Sequence, residues 1–210
     1  MLKVLAASGV LASLLFSSVP AHAAESGPSV PIKVDVVSVN GSGCANGTAS
    51  AIVAEENSAF AIVGSPYRAQ AGVGATPRDF RKNCHMSLLV HAPRGYTYAI
   101  DRVHSYGSMH LEAGAYAVAQ TSYYSSGAGI TGRTISTFHG PRDTDWWVAD
   151  DVGAASLMWA PCGAQRLLNI NTELRVNAGS SDPKTTSSFI SRGDSGGNID
   201  IYHLAWKRCN

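Results

Sequence analysis

From Leu168 to Asn177 the chain alternates without a break, with Leu168, Ile170, Thr172, Leu174 and Val176 on one side and Asn169, Asn171, Glu173, Arg175 and Asn177 on the other. A period of two rules out an amphipathic helix, whose apolar residues recur every three or four positions, and describes a strand with one face in a core and one in water. Shorter runs repeat the pattern: Ile32, Val34 and Val36 alternate with Lys33 and Asp35, and Tyr96, Tyr98 and Ile100 with Thr97, Ala99 and Asp101. Turn signals separate such runs: Asn40-Gly41, Asn46-Gly47, Pro93-Arg94-Gly95, Gly127 to Gly129, Gly140-Pro141, Ala178-Gly179 and Gly193 to Gly197. Helical character is confined to residues 77–83, where Thr76 is placed to cap and Pro77 to open one turn. The expected class is all-β: an antiparallel β-sandwich, jelly-roll or immunoglobulin-like, with one short helical turn near 77–83.

The N-terminus has the order read by an export machinery: Lys3, an apolar run from Val4 to Phe16, then small residues ending in Ala21-His22-Ala23. That run is shorter than the roughly 18 to 20 residues needed to span hydrocarbon and is broken by Ser8, Gly9 and Ser13. Residues 1–23 therefore read as a signal peptide cleaved after Ala23. Residues 24–30 read as a flexible polar leader and 31–210 as a single domain, large enough to bury its own core. Cleavage removes Lys3 and leaves Lys plus Arg level with Asp plus Glu, at 15 each. A balanced charge argues against nucleic-acid binding and polybasic membrane docking, which both need surplus positive charge. The expectation is an extracellular monomer with no membrane span.

Cys44, Cys84, Cys162 and Cys209 form an even set in an exported chain, and no C-x-x-C pair suggests a metal knuckle. Disulfides are the reading. Three pairings exist, of which the sequence-local one, Cys44 with Cys84 and Cys162 with Cys209, is favoured. Each such bridge is worth about 4 kcal/mol in the chain-entropy treatment.

These cysteines stand in four segments: NGSGCANGTAS from Asn40 to Ser50, DFRKNCHMSLLVHAPRGYTYAI from Asp79 to Ile100, WAPCGAQRLLNINTELRVNAGSSDPKTT from Trp159 to Thr186, and YHLAWKRC from Tyr202 to Cys209. On these segments the chain resembles a family of small secreted bacterial and fungal proteins known only as a domain of unknown function. The resemblance implies export, four cysteines in these settings and a β-rich fold. It brings no activity and no catalytic residue.

Gly193-Asp194-Ser195-Gly196-Gly197 matches the string around the nucleophile of chymotrypsin-like proteases, and His85, His91, His104, His110 and His139 precede it. None of these lies in an Ala-His-Cys context, and only 13 residues follow Gly197, so the string reads as a hairpin connection between two strands. Arg192-Gly193-Asp194 spells an integrin-type tripeptide, which arises often by chance. These five histidines and His203 are dispersed, without metal-binding spacing. The carboxylates of Asp143, Asp145, Asp150 and Asp151 offer oxygen ligands for calcium, though without the EF-hand spacing, and read as solvated loop carboxylates flanking a strand. Asn40-Gly41-Ser42 and Asn46-Gly47-Thr48 are glycosylation sequons if the host is eukaryotic.

Two features suit recognition. Trp146 and Trp147 are adjacent, so on a strand one enters the core and the other is free to stack on a sugar or anchor a protein. Asn169, Asn171, Glu173 and Arg175 place amides, a carboxylate and a guanidinium on one sheet face, able to meet a glycan's hydroxyls or simply to sit in water. Together they are the candidate ligand face. The expected function is a secreted, non-enzymatic binding protein for a glycan or cell-surface protein, without cofactor. The alternative is a secreted hydrolase, of serine type through Ser195 or metal-dependent.

Overall fold

The computed structural model describes residues 27–127 and 132–209. The signal peptide expected over residues 1–23 and its cleavage point lie outside that range, as does part of the Gly127 to Gly129 turn. In chain order the strands are β1 (Val34–Asn40), β2 (Ala49–Val53), β3 (Ala59–Gly64), β4 (Tyr67–Gly72), β5 (Arg81–Val90) and β6 (Tyr96–Leu111). They continue as β7 (Tyr116–Ser125), β8 (Gly132–His139), β9 (Arg142–Asp151), β10 (Leu167–Asn177), β11 (Ser187–Arg192) and β12 (Asn198–Arg208). Every pairing between these strands is antiparallel, and an isolated parallel bridge joins Gly107 to Gly193. One sheet, here sheet A, runs β1-β5-β10-β7-β8; the other, sheet B, runs β2-β3-β12-β6-β11-β4, with β9 on the far side of β6. The two pack face to face as a sandwich, and the alternating residues of β10 supply its middle: Leu168, Ile170, Leu174 and Val176 are buried against Phe60, Ile62, Tyr202 and Leu204 of the opposite sheet.

Sheet B contains an arrangement that turn chemistry alone does not specify. β11 and β12 are not a hairpin. They lie one after the other along the same edge of β6, both antiparallel to it, with Ile190 facing Met109 and Ile201 facing His104. β4 and β3 line their other side in the same tandem fashion. From residue 190 to 201 the chain advances eleven residues while β6 advances five, between 104 and 109, and the surplus lifts out as the turn at Gly193–Gly197. Within it the Asp194 N–H donates to the Gly197 carbonyl at 2.9 Å and the Gly197 N–H returns to that of Asp194 at 3.1 Å. The glycines do make a tight reversal, as expected, but local residues set only the reversal, and distant register decides which strands pair.

The break in pairing would strand backbone polar groups, which are costly when buried. Three contacts take them up. The Gly193 N–H donates to the Tyr106 carbonyl at 2.9 Å, the Trp146 indole N–H to the Ser191 carbonyl at 2.9 Å, and the Ser108 N–H to Ser191 Oγ at 3.1 Å. Gly107 makes this approach possible, since a Cβ there would stand 1.9 Å from the Ser191 oxygen.

Immediately before the turn, Arg192 points inward and is 1% exposed. Its guanidinium donates to Asp200 Oδ1 at 2.9 Å, to Ser105 Oγ at 3.1 Å and, across the sandwich, to Thr121 Oγ1 of β7 at 3.2 Å. Asn198 donates to the other Asp200 oxygen at 3.2 Å. A second polar strut joins the sheets where the Tyr67 hydroxyl donates to Thr172 Oγ1 at 2.8 Å. Burial alone would lower the Arg192 guanidinium, but the Asp200 carboxylate more than offsets this and leaves it above its ordinary value. Burial pushes the Tyr67 hydroxyl up to about 12.

Disulfides join Cys44 to Cys84 and Cys162 to Cys209, the sequence-local pairing, with Cα atoms 5.4 and 5.9 Å apart. Three local expectations are revised. The helical turn near 77–83 is a tight turn over residues 77–80 followed by β5: Asp79 accepts from the Thr76 N–H and hydroxyl, which closes the loop before a helix can propagate. The leader is fastened from residue 27 onward. Asn57, in a left-handed conformation (φ 55°) that asparagine tolerates, donates to the Pro28 and Val30 carbonyls and accepts from the Ile32 N–H, while Gly27 packs on Trp206. The segment carrying Asp143, Asp145, Asp150 and Asp151 is not loop but β9 itself, an outer strand of sheet B. Carboxylates on such an edge discourage pairing with another chain.

Removing one partner of the buried pair leaves the other charge unpaired. Arg192→Met is expected to lower the unfolding free energy by about 3–5 kcal/mol, read by urea denaturation, whereas Arg192→Met combined with Asp200→Leu recovers a large part of that loss.

Candidate functional site

The sandwich presents two outer faces of opposite character. On sheet A, Asn169, Asn171, Glu173 and Arg175 share one face of β10. Ser87 donates to Asn169 Oδ1 at 2.8 Å, and Asn169 donates to Ser126 Oγ at 3.0 Å. His85 Nδ1 and Asn171 Oδ1 are 2.6 Å apart. Glu173 is clasped on both sides, by Arg81 and by Arg175, and is 8% exposed. The stripe exists as read from the sequence, but its polar groups largely satisfy one another.

The tryptophans belong to the other sheet. Trp146 is 5% exposed, packed near Phe138 and hydrogen-bonded to Ser191. Trp147, one residue on, is 63% exposed on the outer face of sheet B. One indole is therefore inside and its neighbour outside, as adjacency on a strand requires. The structure thus splits the single ligand face expected from sequence: Trp147 and the polar stripe lie on opposite sides of the sandwich, because β9 pairs with β6 and β10 with β5 and β7.

Around Trp147 the register assembles a patch that no sequence spacing announces. Tyr106 is its partner on β6, and His104 lies 5.1 Å away between ring centroids. His203 of β12 meets His104 edge-on at 4.7 Å. Ile201 faces His104 across the strands, and Ile199 is 41% exposed beyond it. Tyr106 reaches over the sheet to donate to the Gly197 carbonyl at 3.1 Å, so the 193–197 turn lies on this same face. Burial, followed by the neighbouring His104, lowers the His203 imidazole below its ordinary value and favours its neutral form. The result is a shelf of rings and branched aliphatics, bordered by the Arg102–Asp151 ion pair and by the turn.

A family model described as Domain of unknown function (DUF4360) matches residues 31–209. The chain belongs to that family. A relative from Arthroderma benhamiae, described as an uncharacterized secreted protein, is 30% identical over 181 residues, covering 85% of this chain and 73% of the relative. The chain is a secreted protein, a setting in which its two disulfides persist. Among solved structures, TmCBM61 in complex with beta-1,4-galactotriose overlaps 88% of this chain and 93% of its own at 14% identity, with a TM-score of 0.28. At that score nothing carries over. Among the described residues no helix is long and apolar enough to cross a membrane.

Ser195 of this DUF4360 chain is exposed at the tip of its turn and, among the described residues, hydrogen-bonds to no histidine. The protease-like string thus has no assembled base beside it. The Arg192-Gly193-Asp194 tripeptide is unavailable to a receptor because Arg192 is internal. Among the described residues no three or more His, Cys, Asp and Glu side chains gather as a metal site. Asp143 approaches His110 at 3.3 Å and Asp151 pairs with Arg102, so β9's carboxylates are spread along the strand and partly neutralised. Asn40 and Asn46 of the two sequons are exposed.

His110 sits between Glu112 and Asp143, both at 3.3 Å. The hydrogen bond to Glu112, then that to Asp143, raises its pKa above the usual 6.5. A raised folded-state value means that protonated His110 contributes stability in full below about pH 6.5, and that the contribution fades as pH rises through the higher folded value. The destabilisation caused by His110→Gln is accordingly expected to be larger at about pH 5.5 than at about pH 8.5, measured by denaturant unfolding at both.

Proposed function

We infer that this is a secreted, non-catalytic glycan-binding protein whose contact surface is the outer face of sheet B around Trp147. The observation that carries the reading is the 63% exposure of Trp147 beside a 5% exposed twin. Adjacency on the strand requires residue 147 to face outward but does not require an indole there, so the cost of leaving Trp147 in water points to a use. A flat indole matches the apolar face of a pyranose ring. Tyr106, His104 and His203 around it supply hydroxyl and imidazole groups for the sugar's hydroxyls. Rigid strands hold these rings, so little side-chain entropy is lost on binding.

The stripe on sheet A supports the role less directly, since its amides and Glu173 already have partners. A catalytic reading has no comparable support: among the described residues no histidine hydrogen-bonds to Ser195.

The test is retention of the purified mature protein on insoluble cellulose, chitin, xylan, galactan and β-1,3-glucan, with Trp147→Ala alongside. Retention on at least one polymer is expected, weakened by about 2 kcal/mol or more in Trp147→Ala, roughly thirtyfold in affinity, with unchanged thermal unfolding. No retention on any polymer, or equal retention of the variant, overturns the reading.

A further inference from the structure

A concavity lies at one end of sheet B. It has a volume of about 310 Å³ and is formed between the turn joining β5 to β6 and the segment over 160–166, with Tyr96 and Tyr98 among its walls. Arg94 comes from the first wall and Arg166 from the second, and no Asp or Glu lines the cavity. Arg94 has no hydrogen bond or ion pair to another described residue, and Arg166 commits one nitrogen to the Ser126 carbonyl at 2.9 Å. Arg208 lies 5.1 Å over the ring of Tyr96, one of the lining residues.

In a chain whose charges nearly balance, two guanidinium groups with no carboxylate among the lining residues are a local excess of one sign. A concave wall focuses such a field on an anion. The two walls are also held in place. The Cys162–Cys209 disulfide pins the second, the Ala160 N–H donates to the Tyr98 carbonyl at 2.8 Å, and the Cys209 N–H donates to the Gly95 carbonyl at 2.9 Å. Guanidinium groups on a preformed wall suit the paired oxygens of a carboxylate or sulfate, and the volume is at the small end for ligand pockets, near one sugar ring with its substituent.

We propose that the cavity between Arg94 and Arg166 binds a single sugar unit carrying an oxyanion, either the carboxylate of a uronic acid or a sulfate ester. The site is separate from the Trp147 shelf. Tyr96 and Tyr106 are ten residues apart on β6, about 33 Å along the strand. It goes beyond the glycan-binding reading and does not depend on it.

The experiment is an amide-shift NMR titration of the mature protein with D-glucuronate, glucose 6-sulfate and glucose. Saturable shifts at Gly95, Gly163 and Gln165 are expected with one or both anions, and which anion binds distinguishes carboxylate from sulfate recognition. Binding is expected to weaken with added salt, and Arg94→Ala and Arg166→Ala each to reduce affinity about tenfold. Trp147→Ala is expected to leave these shifts unchanged, so failure here and failure of the Trp147 shelf are told apart. Arg94 is exposed, and unaltered thermal unfolding of Arg94→Ala shows its fold intact. Equal shifts with neutral glucose, no saturable shift with either anion, or unchanged affinity in both arginine variants overturns the proposal.

Discussion

The fold turns on one interruption: between Arg192 and Asn198 the chain leaves the edge of β6 and rejoins it further along in the same direction. Everything around that point is arranged to make the departure affordable. The Trp146 indole, the Ser191 hydroxyl and the Gly193 amide take up the backbone groups that lose ladder partners, and Gly107 gives the room for them to do so. The same step leaves Arg192 and Asp200 facing inward on either side of the break, where they pair with each other and Arg192 reaches Thr121 on the opposite sheet. A buried ion pair is seldom a large net gain over well-packed apolar residues. Its effect here is on specificity: an arrangement that paired β11 with β12 as a hairpin would have to find other partners for both charges.

The consequences reach both ends of the sheet. Because the surplus residues rise on the outer side, the 193–197 turn borders the Trp147 shelf and Tyr106 links the two. Because β12 continues along β6 after the break, its last residues run beside Tyr96 and carry Cys209 to the segment that walls the basic cavity. One long rail therefore positions an aromatic surface near its middle and a cationic concavity at its end. The opposite sheet, with Glu173 held between two arginines, contributes a closed polar network instead.

What could be read from the sequence follows the range of the forces involved. Alternation along β10 and the glycine-rich turns are local, and they specify strands, a sandwich and the inside-outside split of Trp146 and Trp147. The disulfide pairing was legible because short loops close most readily. The joining of Trp147 to the polar stripe was not sound, since which sheet a strand enters depends on partners far away in sequence. The inward course of Arg192 was open to view in the alternation Ser188, Ile190, Arg192, all three of which are buried. The meeting of His104, His203 and Trp147, and of Arg94 and Arg166, arises from cross-strand register and disulfide placement, for which no local pattern exists.

The most direct test of this account is a map of backbone cross-strand nuclear Overhauser effects in isotopically labelled mature protein. Tandem passage of β11 and β12 along β6 predicts contacts linking Ile190 to Met109 and Ile201 to His104 in the same molecule, with none between Ile190 and Ile199 or Ile201. Contacts running between β11 and β12 themselves, in hairpin register across the 193–197 turn, would contradict it.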